Sequence, residues 1–217
     1  MEETELEFIF QQNPAPTPYH LESSRKYCEA GQKLISAGFP LMSGEELISF
    51  LYPFYNRKKR HPESPTLTLM EQGLLWVFNK NIWTPDGVYV LHDQKAEGIT
   101  QDVDLPSPDK MFQGGKEIKG VWFSPEERVR FAPQETYQKE TKEGFLIASL
   151  GIEQAQHFWE IASFFRQPPR IFTPNLHGEQ QKQSVSALYH CYGKRGWINF
   201  YGDCLGEGKR GFAIAPK

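Results

Sequence analysis

VSALYHCYGKRGWINFYGDC, residues 185–204, decides how the C-terminal part of this chain folds. Two strand-like runs, 185–192 and 197–204, flank Gly193-Lys-Arg-Gly196, and glycines that bound a polar pair are the usual wording of a hairpin turn. A four-residue turn sets Tyr192 opposite Trp197, which fixes the face of every side chain from there outward. One face then collects Val185, Ala187, Tyr189 and Cys191 with Ile198, Phe200, Gly202 and Cys204, an apolar and small set suited to a core. The other collects Ser186, Leu188, His190 and Tyr192 with Trp197, Asn199, Tyr201 and Asp203.

Aromatic plates among hydrogen-bonding groups suit a flat ligand, a peptide or unstacked bases. His190, Tyr192, Trp197, Asn199 and Tyr201 are therefore the candidate ligand-binding residues. The competing reading is that helices or a long loop cover this face and pair its polar tips internally. The register also defeats a Ser186, His190 and Asp203 triad. His190 lies four residues along the strand from Ser186, about 13 Å, where a proton relay needs roughly 3 Å.

The turn wording recurs in LGEGKRGF, 205–212, where Gly206, Gly208 and Gly211 spell G-x-G-x-x-G. A dinucleotide loop needs a helix after the third glycine, and a kinase loop needs a lysine and a catalytic loop downstream. Six residues follow here, so the glycines are expected to turn the chain and not to hold phosphate. The Lys-Arg pairs at 194–195 and 209–210 then lie at opposite ends of one strand of a meander, roughly 25 Å apart, and make no focused anion site.

Upstream, the periodicity predicts helices. The first starts at Ser23 or Ser24, runs through Tyr27, Cys28, Leu34 and Ile35, and stops at Gly38 in a left-handed cap. The second starts at Ser43 with a capping box to Glu46 and is limited by Pro53. A third, with Thr68 and Glu71 as its box, presents Leu74, Leu75, Val77 and Phe78. After a turn at 83–87, strands are expected at 88–91, in GVWF at 120–123, in the apolar run 145–150, and at 170–173, with a helix from 152 to 165. The polar stretch 93–120 reads as a long loop that is mobile or covers something, and Ser124-Pro-Glu-Glu127 starts at most a short helix.

The fold class expected is α+β: an N-terminal helical layer packed on a mixed, mainly antiparallel sheet that ends in a C-terminal β-meander. The organisation read from composition is an extended proline-rich arm over 1–22, a helical subdomain over 23–83 and an α+β subdomain over 84–217 that shares its core.

The totals narrow the function classes. In 217 residues, 39% are hydrophobic and 14% aromatic, which argues against disorder. Three cysteines without C-x-x-C spacing argue against a disulfide framework and a structural zinc site. Without a long apolar run or a basic leader, no membrane partner is expected and the cytoplasm is the expected compartment. The net charge of −3 divides into −8 over 1–165 and +5 over 166–217.

Three function classes remain. The first is a non-catalytic binding protein for a protein or small-molecule partner, using the aromatic face, with no cofactor and no metal. The second is nucleic-acid binding through FLYPFYNRKKRH, 50–61, in which Arg57, Lys58, Lys59 and Arg60 follow four aromatic residues, aided by the basic C-terminal quarter. The third is an enzyme assembled from separate segments, with His157 or His92 joined to Asp203. His157, flanked by Glu153 and Glu160, has half of a metal or proton-transfer constellation.

Overall fold

The computed structural model describes residues 19–56, 70, 73–100, 105, 112–125, 128–138, 140–165, 167–191 and 196–216. Among the described residues, ten strands run in chain order as β1 (Tyr19–Lys26), β2 (Leu74–Thr84), β3 (Gly87–His92), β4 (Lys116–Ile118), β5 (Val121–Phe123), β6 (Val129–Pro133), β7 (Arg170–Phe172), β8 (Lys182–Cys191), β9 (Trp197–Cys204) and β10 (Glu207–Pro216). Among the described residues the helices with stated bounds are α1 (Tyr27–Ser36), α2 (Gly44–Asn56), α3 (Gln134–Tyr137), α4 (Glu143–Leu150) and α5 (Ile152–Ser163). A mixed sheet with several helices results, in the order β4-β5-β6-β3-β2-β8-β9-β7, with β10 against the start of β2 and β1 beyond β10.

Alternation along the strands sends side chains to two apolar layers. Leu75 and Val77 of β2, Leu188 of β8, Phe200 of β9 and Phe212 of β10 join Leu47 of α2, Phe145 of α4 and Phe158 of α5 on one side. Trp76 and Phe78, Ala187, and Ala213 and Ala215 join Tyr27 and Leu34 of α1 on the other. Beyond α1, Ile82, Tyr89 and Phe131 pack with Phe112 and Leu105, two described residues of the stretch after β3.

Local chemistry sets the helix ends. Gly38 adopts φ +83°, and its N–H and that of Phe39 donate back to Ile35 and Leu34. Glu46 accepts from the Ser43 N–H at 2.7 Å while Ser43 Oγ accepts from the Glu46 N–H at 3.3 Å, closing the capping box. Ser23 and Ser24 belong to β1, however, paired with Phe212 and Gly211, so α1 begins later than expected. Residues 19–22, read as part of the arm, are the opening of that strand. Pro53 lies inside α2, which continues to Asn56.

Two assignments reverse. Leu74, Leu75, Val77 and Phe78 are not part of the expected third helix, whose box residues Thr68 and Glu71 lie outside the described residues: they open β2, whose first ten residues are all buried between two layers. The run 145–150 is no strand but part of α4, also buried throughout. The expected meander stops at two strands, because β10 leaves β9 and pairs antiparallel with β1 and parallel with β2. Gly206 at φ +77° and Gly208 at φ +100° turn the chain into β10. Among the described residues, no helix is long and apolar enough to cross a membrane.

Candidate functional site

The hairpin of β8 and β9 is in a different register from the one a four-residue turn gives. Cys191 lies opposite Trp197, Tyr189 opposite Asn199 and Ala187 opposite Tyr201. The connection is therefore one residue longer, and a one-residue slip exchanges the faces of one strand relative to the other. Packing favours this outcome: it delivers Leu188, Ile198 and Phe200 together to Phe145 and Phe158.

His190 consequently parts from the other candidates. It pairs with Ile198, is 7% exposed, and sets its ring 4.9 Å from that of Phe165 below the end of α5. Burial pushes its pKa below the ordinary 6.5. A histidine whose folded pKa lies below its unfolded one binds protons more readily in the unfolded chain, so its contribution to stability is complete above about pH 6.5 and is lost as the pH falls below it. Urea titrations at about pH 7.5 and pH 5 are expected to show a loss that is smaller in His190→Phe; an equal loss in both proteins would remove His190 as its source.

Trp197, Asn199 and Tyr201 stay together, joined by Tyr189, which the shorter turn assigned to the core. The parallel pairing of β7 with β9 adds Arg170 beside Asn199 and Phe172 beside Tyr201. The rings form a row: Phe172 stacks on Tyr201 with centroids 4.6 Å apart and planes 7° from parallel, and Tyr189 meets Tyr201 edge-on at 6.4 Å. The Arg170 guanidinium stands 5.2 Å over the Trp197 ring. Helix α1 packs against β1 and β10, and the aromatic row lies on this same side of the sheet, on β7, β8 and β9. Tyr189, Trp197, Tyr201 and Phe172 are half-buried and Arg170 is exposed. Beneath them, Trp197 Nε1 and Asn199 Oδ1 are buried without hydrogen-bond partners.

Arg170 and Phe172 carry no local signal of this role, since only the long-range pairing with β9 brings them here. Tyr192 and the segment Arg57, Lys58, Lys59 and Arg60 lie outside the described residues.

The histidines proposed for catalysis are held by packing. His157 stacks on Tyr52 with centroids 3.7 Å apart, and the Tyr52 hydroxyl donates to Glu160, one of the carboxylates that flank His157 in sequence. His92 Nε2 meets the Leu41 carbonyl at 3.0 Å. Asp93, 7% exposed, accepts from the N–H groups of Glu97 and Gly98 at 3.0 and 2.7 Å, which shapes a loop. Asp203 lies on β9, where burial raises its pKa above the ordinary carboxylate value. Ser186 is bonded to Asn81, at the level of the sheet where Trp83 and Ser184 also meet. Among the described residues, no three His, Cys, Asp or Glu gather as metal ligands would.

No family model matches this sequence, and no curated protein matches it. Its architecture is similar to a solved structure described as "Accommodation of massive sequence variation in Nanoarchaeota by the C-type lectin fold". The superposition covers 93% of this chain and 99% of that one, with a TM-score of 0.52 and 12% identity. The two chains share a fold. At that identity the likeness concerns backbone architecture, and the side chains of the aromatic row are this chain's own.

Proposed function

We propose that this chain is a non-catalytic binding protein whose contact surface is the outer face of β7, β8 and β9, and that its partner is a peptide or protein surface. The observation that carries this reading is the row formed by Tyr189, Tyr201 and Phe172 with Trp197 under Arg170, half-buried and backed by an unused donor and acceptor. Large planar rings supply contact area at small entropic cost, and tryptophan, tyrosine and arginine dominate the energetics of protein interfaces. Unmet buried polar atoms call for an explanation, and a partner's amide groups would supply one. Arg170 favours a carboxylate in that partner. The printed description of the nanoarchaeal structure, a fold accommodating massive sequence variation, supports the reading by analogy: such a scaffold keeps its core while its surface is free to suit a partner.

A displayed library of random peptides, selected on the full chain, tests this. Peptides are expected to be enriched in acidic and aromatic residues and to lose about 30-fold or more in affinity, roughly 2 kcal/mol, on Tyr201→Ala and Trp197→Ala. Both variants should melt close to the parent, within about 1–2 kcal/mol, because their rings are only half-buried. Selected peptides that bind both variants as well as the parent would place the contact surface elsewhere. A cost of roughly 3–5 kcal/mol would make the row ordinary core.

A further inference from the structure

The aromatic row ends on polar atoms that its rings do not explain. Asn199 is 4% exposed, and its Oδ1 is buried without a hydrogen-bond partner. Two residues earlier on β9, Trp197 Nε1 is likewise buried and unpartnered. Residues i and i+2 of a strand share a face roughly 7 Å apart, so the unused acceptor and the unused donor are neighbours. Leaving both unmet is costly unless something completes them.

Arg170 supplies a third group. The parallel register sets it directly beside Asn199, and its guanidinium stands 5.2 Å over the Trp197 ring. It is exposed, and among the described residues it enters no ion pair. A cation–π contact engages the charge and leaves the guanidinium N–H groups for another acceptor. Cation and donor thus converge at the Trp197 end, and Asn199 lies between them and the stacked rings of Tyr201 and Phe172.

The end of a peptide presents the complement of all three. There a carboxylate and the N–H of the same residue are joined through one carbon, which sets the carboxylate carbon about 2.5 Å from the nitrogen. An aspartate side chain carries its carboxylate one bond further from its own N–H, and the chain leaves such a residue in both directions. Building on the reading of this face as a peptide-binding surface, we infer that it captures the carboxyl terminus of its partner. Arg170 and Trp197 Nε1 donate to the carboxylate, Asn199 Oδ1 accepts the terminal N–H, and the preceding side chain lies on Tyr201 and Phe172. As an exposed side chain, Arg170 can turn from the ring to the carboxylate and open the way to the indole beneath it. Charge-assisted bonds of this kind are the strong ones, and capture of a chain end by convergent donors is a recurring mode of peptide recognition.

Three N-acetylated tetrapeptides titrated into the full chain test this. Ac-Gly-Gly-Phe-Ala as the free acid is expected to bind about tenfold or more tighter than its carboxamide. Ac-Gly-Gly-Phe-Asp carboxamide, whose carboxylate sits on a side chain, should bind no better than the uncharged amide. In proton–nitrogen correlation spectra the Trp197 indole N–H, identified by its absence from Trp197→Phe, should shift with the acid and stay in place with the amide. Arg170→Gln, at an exposed position, should bring the acid down to the affinity of the amide and leave the amide unchanged. Asn199→Ala removes the acceptor of the terminal N–H and should weaken acid and amide alike by about threefold to fivefold. If that variant does not fold, the Arg170 and amide comparisons still decide. Equal binding of acid and amide, an aspartyl amide that matches the acid, a difference that survives Arg170→Gln, or an indole N–H that no peptide moves would each overturn the inference. Library peptides that depend on Trp197 and Tyr201 yet bind equally as acid and amide would overturn it and leave the peptide-binding surface standing; peptides indifferent to both substitutions would remove the surface itself.

Discussion

Trp83→Ala is expected to destabilise the chain by about 4–5 kcal/mol and to lower its melting temperature by roughly 10–20 °C. Trp83 is 1% exposed near the end of β2. Its ring meets Tyr137 edge-on at 5.5 Å and Phe145 at 4.9 Å, so truncation opens a cavity between β2, α3 and α4. Its Nε1 donates to Ser184 Oγ at 2.8 Å, and Ser184 Oγ in turn donates to the Gly202 carbonyl at 2.5 Å. The indole therefore fills the core and also anchors a buried chain of hydrogen bonds across β2, β8 and β9. Asn81 completes this tier, donating to Ser186 Oγ at 2.9 Å and to the Gly202 carbonyl at 3.0 Å. Trp83→Phe separates the two roles: it retains most of the ring and forfeits the N–H, and about 1–2 kcal/mol is expected. A Trp83→Ala protein that melts within a few degrees of the parent would contradict the placement of this residue and of β2 at the centre of the sheet.

The placement of β2 shows where sequence reading reaches its limit. Leu74, Leu75, Val77 and Phe78 satisfy a helical stripe, yet they alternate between two apolar layers of a central strand. Phe145 to Leu150, equally continuous, is a helix buried on every side. Periodicity cannot separate a strand covered on both faces from a fully buried helix, because neither has a polar side. What was legible was local. The Gly38 terminus of α1 and the Ser43–Glu46 box of α2 depend on residues within one turn of each other, and both are formed.

The candidate site was legible in part for the same reason. Trp197, Asn199 and Tyr201 share a face because they alternate along one strand, whatever its partner. Which residues of β8 join them depends on turn length, and one residue moved His190 away and brought Tyr189 in. Arg170 and Phe172 arrive by parallel pairing with a strand that lies some 27 residues later in sequence, for which no local pattern exists. The glycines of LGEGKRGF, likewise, look alike in sequence and differ in role once their neighbours are known.

Those roles yield the second large effect. Gly211→Ala is expected to cost about 3 kcal/mol or more, and Gly208→Ala only about 1–2 kcal/mol. Gly208 sits at φ +100° with nothing near the position of a Cβ, so its substitution incurs backbone strain alone. At Gly211 a Cβ would lie 2.2 Å from Trp76 Nε1 and 2.4 Å from Cε2. The indole cannot easily give way: it is 1% exposed and held edge-on by the Tyr27 ring at 5.6 Å. Nor can the backbone move freely, since Gly211 pairs with Ser24 of β1 on one side and Leu74 of β2 on the other. The added methyl must therefore displace either the Trp76 ring or the junction of three strands. Trp76→Leu is costly alone but removes Nε1, Cε2 and Cζ2, the atoms in collision, so the double variant with Gly211→Ala should be more stable than the sum of the two losses by about 1 kcal/mol or more. Chemical denaturation of the four proteins measures this coupling. Strict additivity, or a Gly211→Ala loss no larger than that of Gly208→Ala, would show that Gly211 turns the chain as Gly208 does and makes no room for the indole.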